Sequence, residues 1–493
     1  MRKPAKKSGL ARLALLLTAL SPLAHGTAHA GGLALPGVGS SNYGVSTAGP
    51  TSVHYNPAGL GFATVPRMLI GGSLVVGDLR YHRERRATYQ RQDSLDFALP
   101  IDPGAIDAKK TGYDREVKTI PLGLLPDIFA EFPIRDLPIK AGLGVDAPYA
   151  AIVRWPASGP QRFQLDDATL ATVFVNAGLA YTPTRRFSLG AGVALVLGYA
   201  SLSRTQDLGS VSDLGQALAR PPISQANGFG PNADPALREL DTLARPFTFD
   251  NGWAAGATFR LGMMGEVAKN LWLSASYEHS TRMNFRGTFT LDMNNPFFTQ
   301  DLASQGLAYP AEVRGDASLS FTLPRVVRAG VRYGFGGKTA GQSVMEIALE
   351  GTYTGWSAVQ NFDVRLKSPA LAQPALGLSD SLRLALPRRW NDTFGGVVRG
   401  TLRPSRVLSL WGALGGETSA VPDATIDAAS PDGNRITVAG GLGRKLHDRV
   451  TLLLDLQLHN VMKRRVVASD HDLGNGMYTF RLFVGGAHLD CVF

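Results

Sequence analysis

A single cysteine, Cys491, occurs among the 493 residues. An intramolecular disulfide is therefore excluded, and export to an oxidising compartment would leave no covalent trace. Past residue 30 no apolar run approaches the roughly 20 residues that a membrane-spanning helix needs, so helical spans are excluded too. Charged residues make up only 18% of the chain. Gly-x-Ser-x-Gly, His-Glu-x-x-His and Gly-x-x-x-x-Gly-Lys are all missing, which removes the commonest hydrolase, zinc-protease and nucleotide-binding signatures. The histidines after residue 30 (His54, His82, His279, His447, His459, His471 and His488) show no metal-ligand spacing. No catalytic residue, metal or cofactor is expected.

What is present begins with an export signal over residues 1–30. Arg2, Lys3, Lys6, Lys7 and Arg12 form a basic start, Leu13 to Leu20 an apolar run, and Ala28-His29-Ala30 a small-x-small cleavage site. The apolar run is too short to anchor the chain in a bilayer. Cleavage would remove five of the fifty basic residues and no acid, leaving 45 against 40 and a net charge of +5. A nucleic-acid partner therefore needs no invoking.

The remaining chain alternates. From Phe187, one face carries Phe187, Leu189, Ala191, Val193, Leu195, Leu197 and Tyr199, and the other Ser188, Gly190, Gly192, Ala194, Val196, Gly198 and Ala200. Leu452, Leu454, Leu456 and Leu458 share a face opposite Leu453, Asp455, Gln457 and His459. The last strand sets Phe483, Ala487 and Leu489 against Gly486, His488 and Asp490. A soluble sandwich alternates as well, but its strands usually stop at about five or six residues, whereas these exceed ten. Tyr and Phe at the ends of the apolar faces suit interfacial girdles. A sheet in hydrocarbon must close on itself, because an unpaired edge has no water to satisfy it.

The expectation is an all-β fold: a transmembrane antiparallel β-barrel of about 14 strands spanning 66–493, in the outer membrane of a Gram-negative bacterium. Candidate strands lie near 66–83, 118–133, 138–152, 168–183, 185–205, 247–262, 268–292, 314–336, 343–366, 386–403, 405–418, 434–447, 449–468 and 476–493. Short joints such as Thr182-Pro183-Thr184-Arg185 read as periplasmic turns, and long ones at 84–117, 206–246, 293–313 and 367–385 as extracellular loops. Residues 31–65 are rich in Gly and Ser and break the strand pattern; they read as a linker or as a hatch plugging the lumen. Phe493 at the C-terminus is the expected signal for the barrel assembly machinery, and a monomer is expected.

Four stretches, in order, resemble the FadL-type outer-membrane transporters of long-chain fatty acids and aromatic hydrocarbons. Ser52-Val53-His54-Tyr55-Asn56-Pro57-Ala58-Gly59-Leu60 resembles the family's Asn-Pro-Ala signature, and Asp213-Leu214-Gly215-Gln216 a motif of the third long loop. Tyr353-Thr354-Gly355-Trp356-Ser357 resembles its Tyr-Thr-x-Trp-Ser strand; Ser419-Ala420-Val421-Pro422-Asp423 with Pro431-Asp432-Gly433-Asn434-Arg435 resembles a late extracellular loop. The resemblance implies a fourteen-stranded barrel with an N-terminal hatch at Asn56, Pro57 and Ala58. It also implies passive uptake: a hydrophobic ligand is captured by loops and delivered through a lateral opening near the third strand. His54 and Tyr55 before the Asn, and the loop lengths, depart from the fatty-acid importers and leave the ligand open among fatty acids, alkanes and aromatics.

Candidate capture residues are Leu208, Leu214, Leu218, Leu240 and Leu243, which either line an apolar groove or pack the loop on the barrel. Ala147 and Pro148 mark a candidate opening, because proline removes a ladder donor; the strand ending at Asp146 is the alternative. Arg328 and Arg332 fall on an inward face, with Glu278, Glu346 and Glu350 on neighbouring strands. They read as a ligand anchor in the lumen or as a salt ladder. The basic run Arg80, Arg83, Arg85, Arg86 and Arg91 suits lipopolysaccharide phosphates or a solvated loop. A general porin for small polar solutes is the alternative function.

Overall fold

The structure, a computed structural model, describes residues 33–34, 38–84, 116–135, 137–207, 244–307, 309–336, 343–374, 378–470 and 474–493. Long alternating segments give twenty antiparallel strands in one sheet. They are β1 (Arg67–Arg83), β2 (Glu116–Thr119), β3 (Leu122–Pro133), β4 (Ile139–Asp146), β5 (Ala150–Arg154), β6 (Asp167–Thr184) and β7 (Phe187–Asp207). Next come β8 (Ala244–Ala268), β9 (Leu271–Glu278), β10 (Thr281–Asp292), β11 (Glu312–Leu323), β12 (Val326–Phe335), β13 (Met345–Thr354) and β14 (Asn361–Lys367). The last six are β15 (Ser381–Pro387), β16 (Thr393–Leu402), β17 (Leu408–Glu417), β18 (Arg435–His447), β19 (Val450–Val466) and β20 (Gly476–Val492).

Six staves are built from two pieces each: β2/β3, β4/β5, β9/β10, β11/β12, β13/β14 and β15/β16, the members of a pair bonding the same neighbouring stave. Twenty strands thus make fourteen staves. The ring closes through β1 and β20, paired without a shift from Arg67↔Val492 to Arg83↔Gly476.

Every expected segment has its stave. The lipid-facing sets are those the alternation assigns: Leu189, Val193 and Leu195 on β7, and Leu454, Leu456 and Leu458 on β19, are all exposed. The alternation gave no sign that staves are interrupted. Staves seven to ten break side by side, at His279-Ser280, Pro324-Arg325, Gly355–Gln360 and Arg388–Asp392. Across this band the polarity of the wall inverts. Below it Leu273, Val327, Val331, Leu349 and Val398 point outward and are exposed. Above it Arg282, Arg286, Arg314, Arg365 and Arg383 point outward, while Phe285, Phe289, Phe321 and Leu366 are buried inside. The band marks where the wall leaves hydrocarbon for water. Trp356 and Trp390 fill the bend, fully buried with ring centroids 5.2 Å apart.

All four expected loops are shorter than their stated ranges. β2 starts at Glu116, β7 ends at Asp207 and β8 starts at Ala244, and strands enter the other two loops as well. β15 begins at Ser381 inside the 367–385 loop, because Leu382, Leu384 and Leu386 continue an inward alternation opposite β14. The 293–313 loop contains a π-helical turn (Phe297–Asp301) and a 3-10 turn (Ala303–Gln305) before β11 starts.

Candidate functional site: hatch, side opening and apolar cavity

Residues 38–63 pack inside the barrel, and Thr64 and Val65 are exposed. A single helical turn, Ser52–Tyr55, leads to Asn56, whose extended backbone (φ −162°) passes into a 3-10 helix over Pro57–Phe62. Proline presets the first helical residue. Asn56 is fully buried and its amide is spent locally. Its Oδ1 accepts from the Ala58 N–H at 3.1 Å, and its Nδ2 donates to the carbonyls of Val45 and Met263, each at 3.1 Å. Asn56 thus ties two parts of the hatch to β8.

The small lumen set explains how the plug fits. A Cβ at Gly190 would strike the Ala58 backbone nitrogen, and one at Gly262 would strike the Asn56 side-chain oxygen. Leu60 packs against Gly142 and Gly178, and Val53 against Gly144 and Gly178. The wall is glycine where the hatch backbone touches it.

A buried polar chain joins hatch and wall. His54 Nδ1 stands 2.9 Å from Asp146 Oδ2, and Asn176 donates to the other Asp146 oxygen at 2.5 Å. Arg260 donates to the Asn176 carbonyl oxygen and, through Nε, to Glu278 at 2.9 Å. Arg328 reaches the same Glu278 oxygen at 3.5 Å and lies over the Tyr55 ring at 5.9 Å. Arg332 pairs with Glu346 at 3.5 Å, and Arg399 with Glu350 at 3.3 Å. Glu350 also accepts from the Ser46 N–H at 3.0 Å. Arg328 and Arg332 both face the lumen, and both already have carboxylate partners at hatch level. Breaking such a buried pair costs about 3–5 kcal/mol.

Pro148 marks a break in pairing. β4 ends at Asp146 and β5 starts at Ala150, leaving Ala147 half-buried and Pro148 buried between them. β3 pairs with β4 up to Ile128↔Val145, and β5 pairs with β6 alone. The ladder between the second and third staves therefore lapses in its outer half. An isolated bridge, Ala34↔Tyr149, lies at the break.

Above the hatch lies a cavity of about 820 Å³, lined by Leu33, Phe163, Leu170, Phe249, Phe289, Phe298, Phe321 and Leu382 among others. Its charged lining residues are Arg204, Arg388 and Asp427. Arg388 pairs with Asp427 at 2.8 Å and stacks on Phe362 at 4.5 Å. Among the described residues Arg204 has the neutral Gln206 side chain as its hydrogen-bond partner, and its Nε is buried without one. Among the described lining residues two cations, Arg204 and Arg388, face one anion, Asp427. Strand alternation continued beyond Tyr199 would have turned Leu202 and Arg204 inward; Arg388, inside a break, gave no such signal.

The five candidate capture leucines, Leu208, Leu214, Leu218, Leu240 and Leu243, lie outside the described residues, as do Arg85, Arg86 and Arg91. Arg80 pairs with Asp78 and Glu116, and Arg83 is buried. The late-loop stretches meet: Asp432 Oδ2 accepts from the N–H groups of Ala420 and Val421 at 2.6 and 3.0 Å.

Solved structures share this fold. A Pseudomonas aeruginosa FadL homologue superimposes with a TM-score of 0.71 at 18% identity, over 94% of this chain and 100% of that one. The Pseudomonas putida toluene transporter TodX gives 0.61 at 17%, over 92% and 98%. The Ralstonia pickettii toluene transporter TbuX gives 0.58 at 16%, over 92% and 96%. Among curated proteins no sequence match reaches significance. The sequence profile of the outer membrane protein transport proteins (OMPP1/FadL/TodX) matches residues 22–485. With that match over nearly the whole chain, a closed fourteen-stave wall and a hatch in its lumen, the chain belongs to this outer-membrane transport family.

Proposed function

We propose that the chain takes up amphipathic carboxylates with long apolar tails, fatty acids above all, by passive diffusion and without a catalytic step. The observation that carries this reading is the apolar cavity with Arg204 in its wall, which among the described residues has no carboxylate hydrogen-bond partner. Each buried methylene stabilises the bound tail by about 0.8 kcal/mol, so the lining alone retains a long chain. A ligand carboxylate would supply the partner that Arg204 lacks among the described residues, and a charge-assisted hydrogen bond is the strong kind.

In this reading Leu208, Leu214, Leu218, Leu240 and Leu243 capture the ligand and the cavity holds it. A shift of the hatch at Asn56, Pro57 and Ala58 then releases it past Ala147 and Pro148 into the membrane. The Ala34↔Tyr149 bridge is the closure that must part. Arg328 and Arg332 hold the hatch level together rather than the ligand, since Glu278 and Glu346 already answer them. Assembly through Phe493 and a monomeric barrel complete the proposal.

Two substitutions test it. Arg204→Gln should weaken binding of a long-chain fatty acid about tenfold, equivalent to about 1.4 kcal/mol, and leave the alkane of equal length unaffected. Equal losses for both would reject a carboxylate anchor. Ala147→Trp should stop transport while binding persists; undiminished transport would point to passage straight down the lumen.

A further inference from the structure

The inverted outer wall of staves seven to ten carries a transverse row of arginines. In register, Arg286 on β10 stands opposite Ser318 on β11, Ser318 opposite Arg365 on β14, and Arg365 opposite Arg383 on β15. All three arginines are exposed on the outward face. Other cations of this face have partners: Arg282 reaches Asp363 at 3.9 Å, Arg314 pairs with Glu312, and Lys367 stands opposite Asp316. Arg286, Arg365 and Arg383 have no ion-pair or hydrogen-bond partner among the described residues. Like charges directly opposite on paired strands are destabilising, yet Arg365 and Arg383 are so placed. A site that keeps guanidinium groups side by side suits a multivalent anion that accepts two-pronged hydrogen bonds.

The level of the row identifies that anion. On its other side Arg286 stands opposite Trp253 on β8, and Trp253 opposite Tyr199 on β7. Trp253 is 52% exposed and its ring lies 5.0 Å from that of Tyr199. Outward Trp and Tyr at the end of an apolar face mark the headgroup level. The arginines therefore start beside the aromatic belt and lie above the break band, where apolar outward residues give way to charge. They face lipid headgroups rather than acyl chains or the lumen.

We propose that Arg286, Arg365 and Arg383 form a docking row for the phosphate groups of outer-leaflet lipopolysaccharide. This site is separate from the cavity and from the basic run on β1, where Arg80 is already paired and Arg83 is buried. It would seat the water-exposed wall in the phosphate layer and fix how far the rim stands above the hydrocarbon.

The test uses the full-length barrel, purified in non-ionic detergent and titrated with lipopolysaccharide. The variant R286Q/R365Q/R383Q should bind at least tenfold more weakly, whereas R135Q/R185Q/R406Q, which removes the same charge at the periplasmic rim, should bind like the wild type. Wild-type protein should bind enzymatically dephosphorylated lipopolysaccharide as weakly as the first variant binds the intact form. This arm needs no variant to fold. Full binding by the first variant, or indifference to dephosphorylation, would overturn the proposal. Equal affinity for phosphatidylglycerol micelles or for inorganic phosphate would overturn the assignment to lipopolysaccharide.

Discussion

At the scale of single residues, the hatch is held by complementary absences and presences. Gly190 and Gly262 provide the space that the Ala58 backbone and the Asn56 side chain occupy. Asn56 then uses both ends of its amide. Asn56→Ala leaves the Val45 and Met263 carbonyls and the Ala58 N–H without their partner, a cost of about 1–3 kcal/mol per buried group. We expect Asn56→Ala or Pro57→Ala to reduce ligand uptake several-fold while the barrel keeps its heat-modifiable mobility on gels. Wild-type uptake in both variants would remove the hatch from the pathway. Much of this was legible: the Asn-Pro-Ala stretch and the Gly-rich inward face of β7 both pointed to a plug. The partner atoms were not, because Met263 is distant in sequence and contributes only its backbone.

At the scale of elements, the strand period was enough to place all fourteen staves, but not the breaks in them. Pro148 and Pro324 carry a physical signal, a missing donor. His279-Ser280 carries none, and that stave breaks because its neighbour does at Pro324-Arg325 and the ladder must stay in register. Carrying the inner alternation of these four staves outward past the breaks would therefore turn the wrong face to the lumen. The segment 155–166, whose Phe163 and Gln164 line the cavity, gives a second prediction. Burial pushes the Asp166 carboxyl up to about 7, with Arg162 opposing and Asp167 adding to the rise. Raised above its unfolded value, the carboxyl favours the ordered segment while protonated. That contribution is full below about pH 4 and is lost as pH rises through about 7. Amide exchange in 155–166 should accelerate between pH 5 and pH 8 beyond the intrinsic base dependence, and Asp166→Asn should abolish the excess. An identical excess in the variant would exclude Asp166 as its source.

At the scale of the whole molecule, the N-terminal segment packs against the inner wall of the barrel. Val53, Asn56 and Leu60 of the hatch are buried against the wall, and Ser46 is tied to Glu350. A general porin would need a continuous water path at this level. Wild-type protein in planar bilayers should therefore give no large, steady conductance, and Gly190→Val, which displaces the Ala58 backbone, should give a measurable one. Steady wild-type channels would favour the porin reading.

The inverted wall has a kinetic consequence. Its greasy side is turned inward at a height where the outside is charged, so an oil-like compartment stands proud of the bilayer. A molecule caught there has already left water before meeting the packed sugars. Entry then ceases to limit flux, and escape governs it. Since each methylene adds about 0.8 kcal/mol of retention, dwell time should lengthen roughly fourfold per carbon. The shortest tails that still fill the chamber would move fastest.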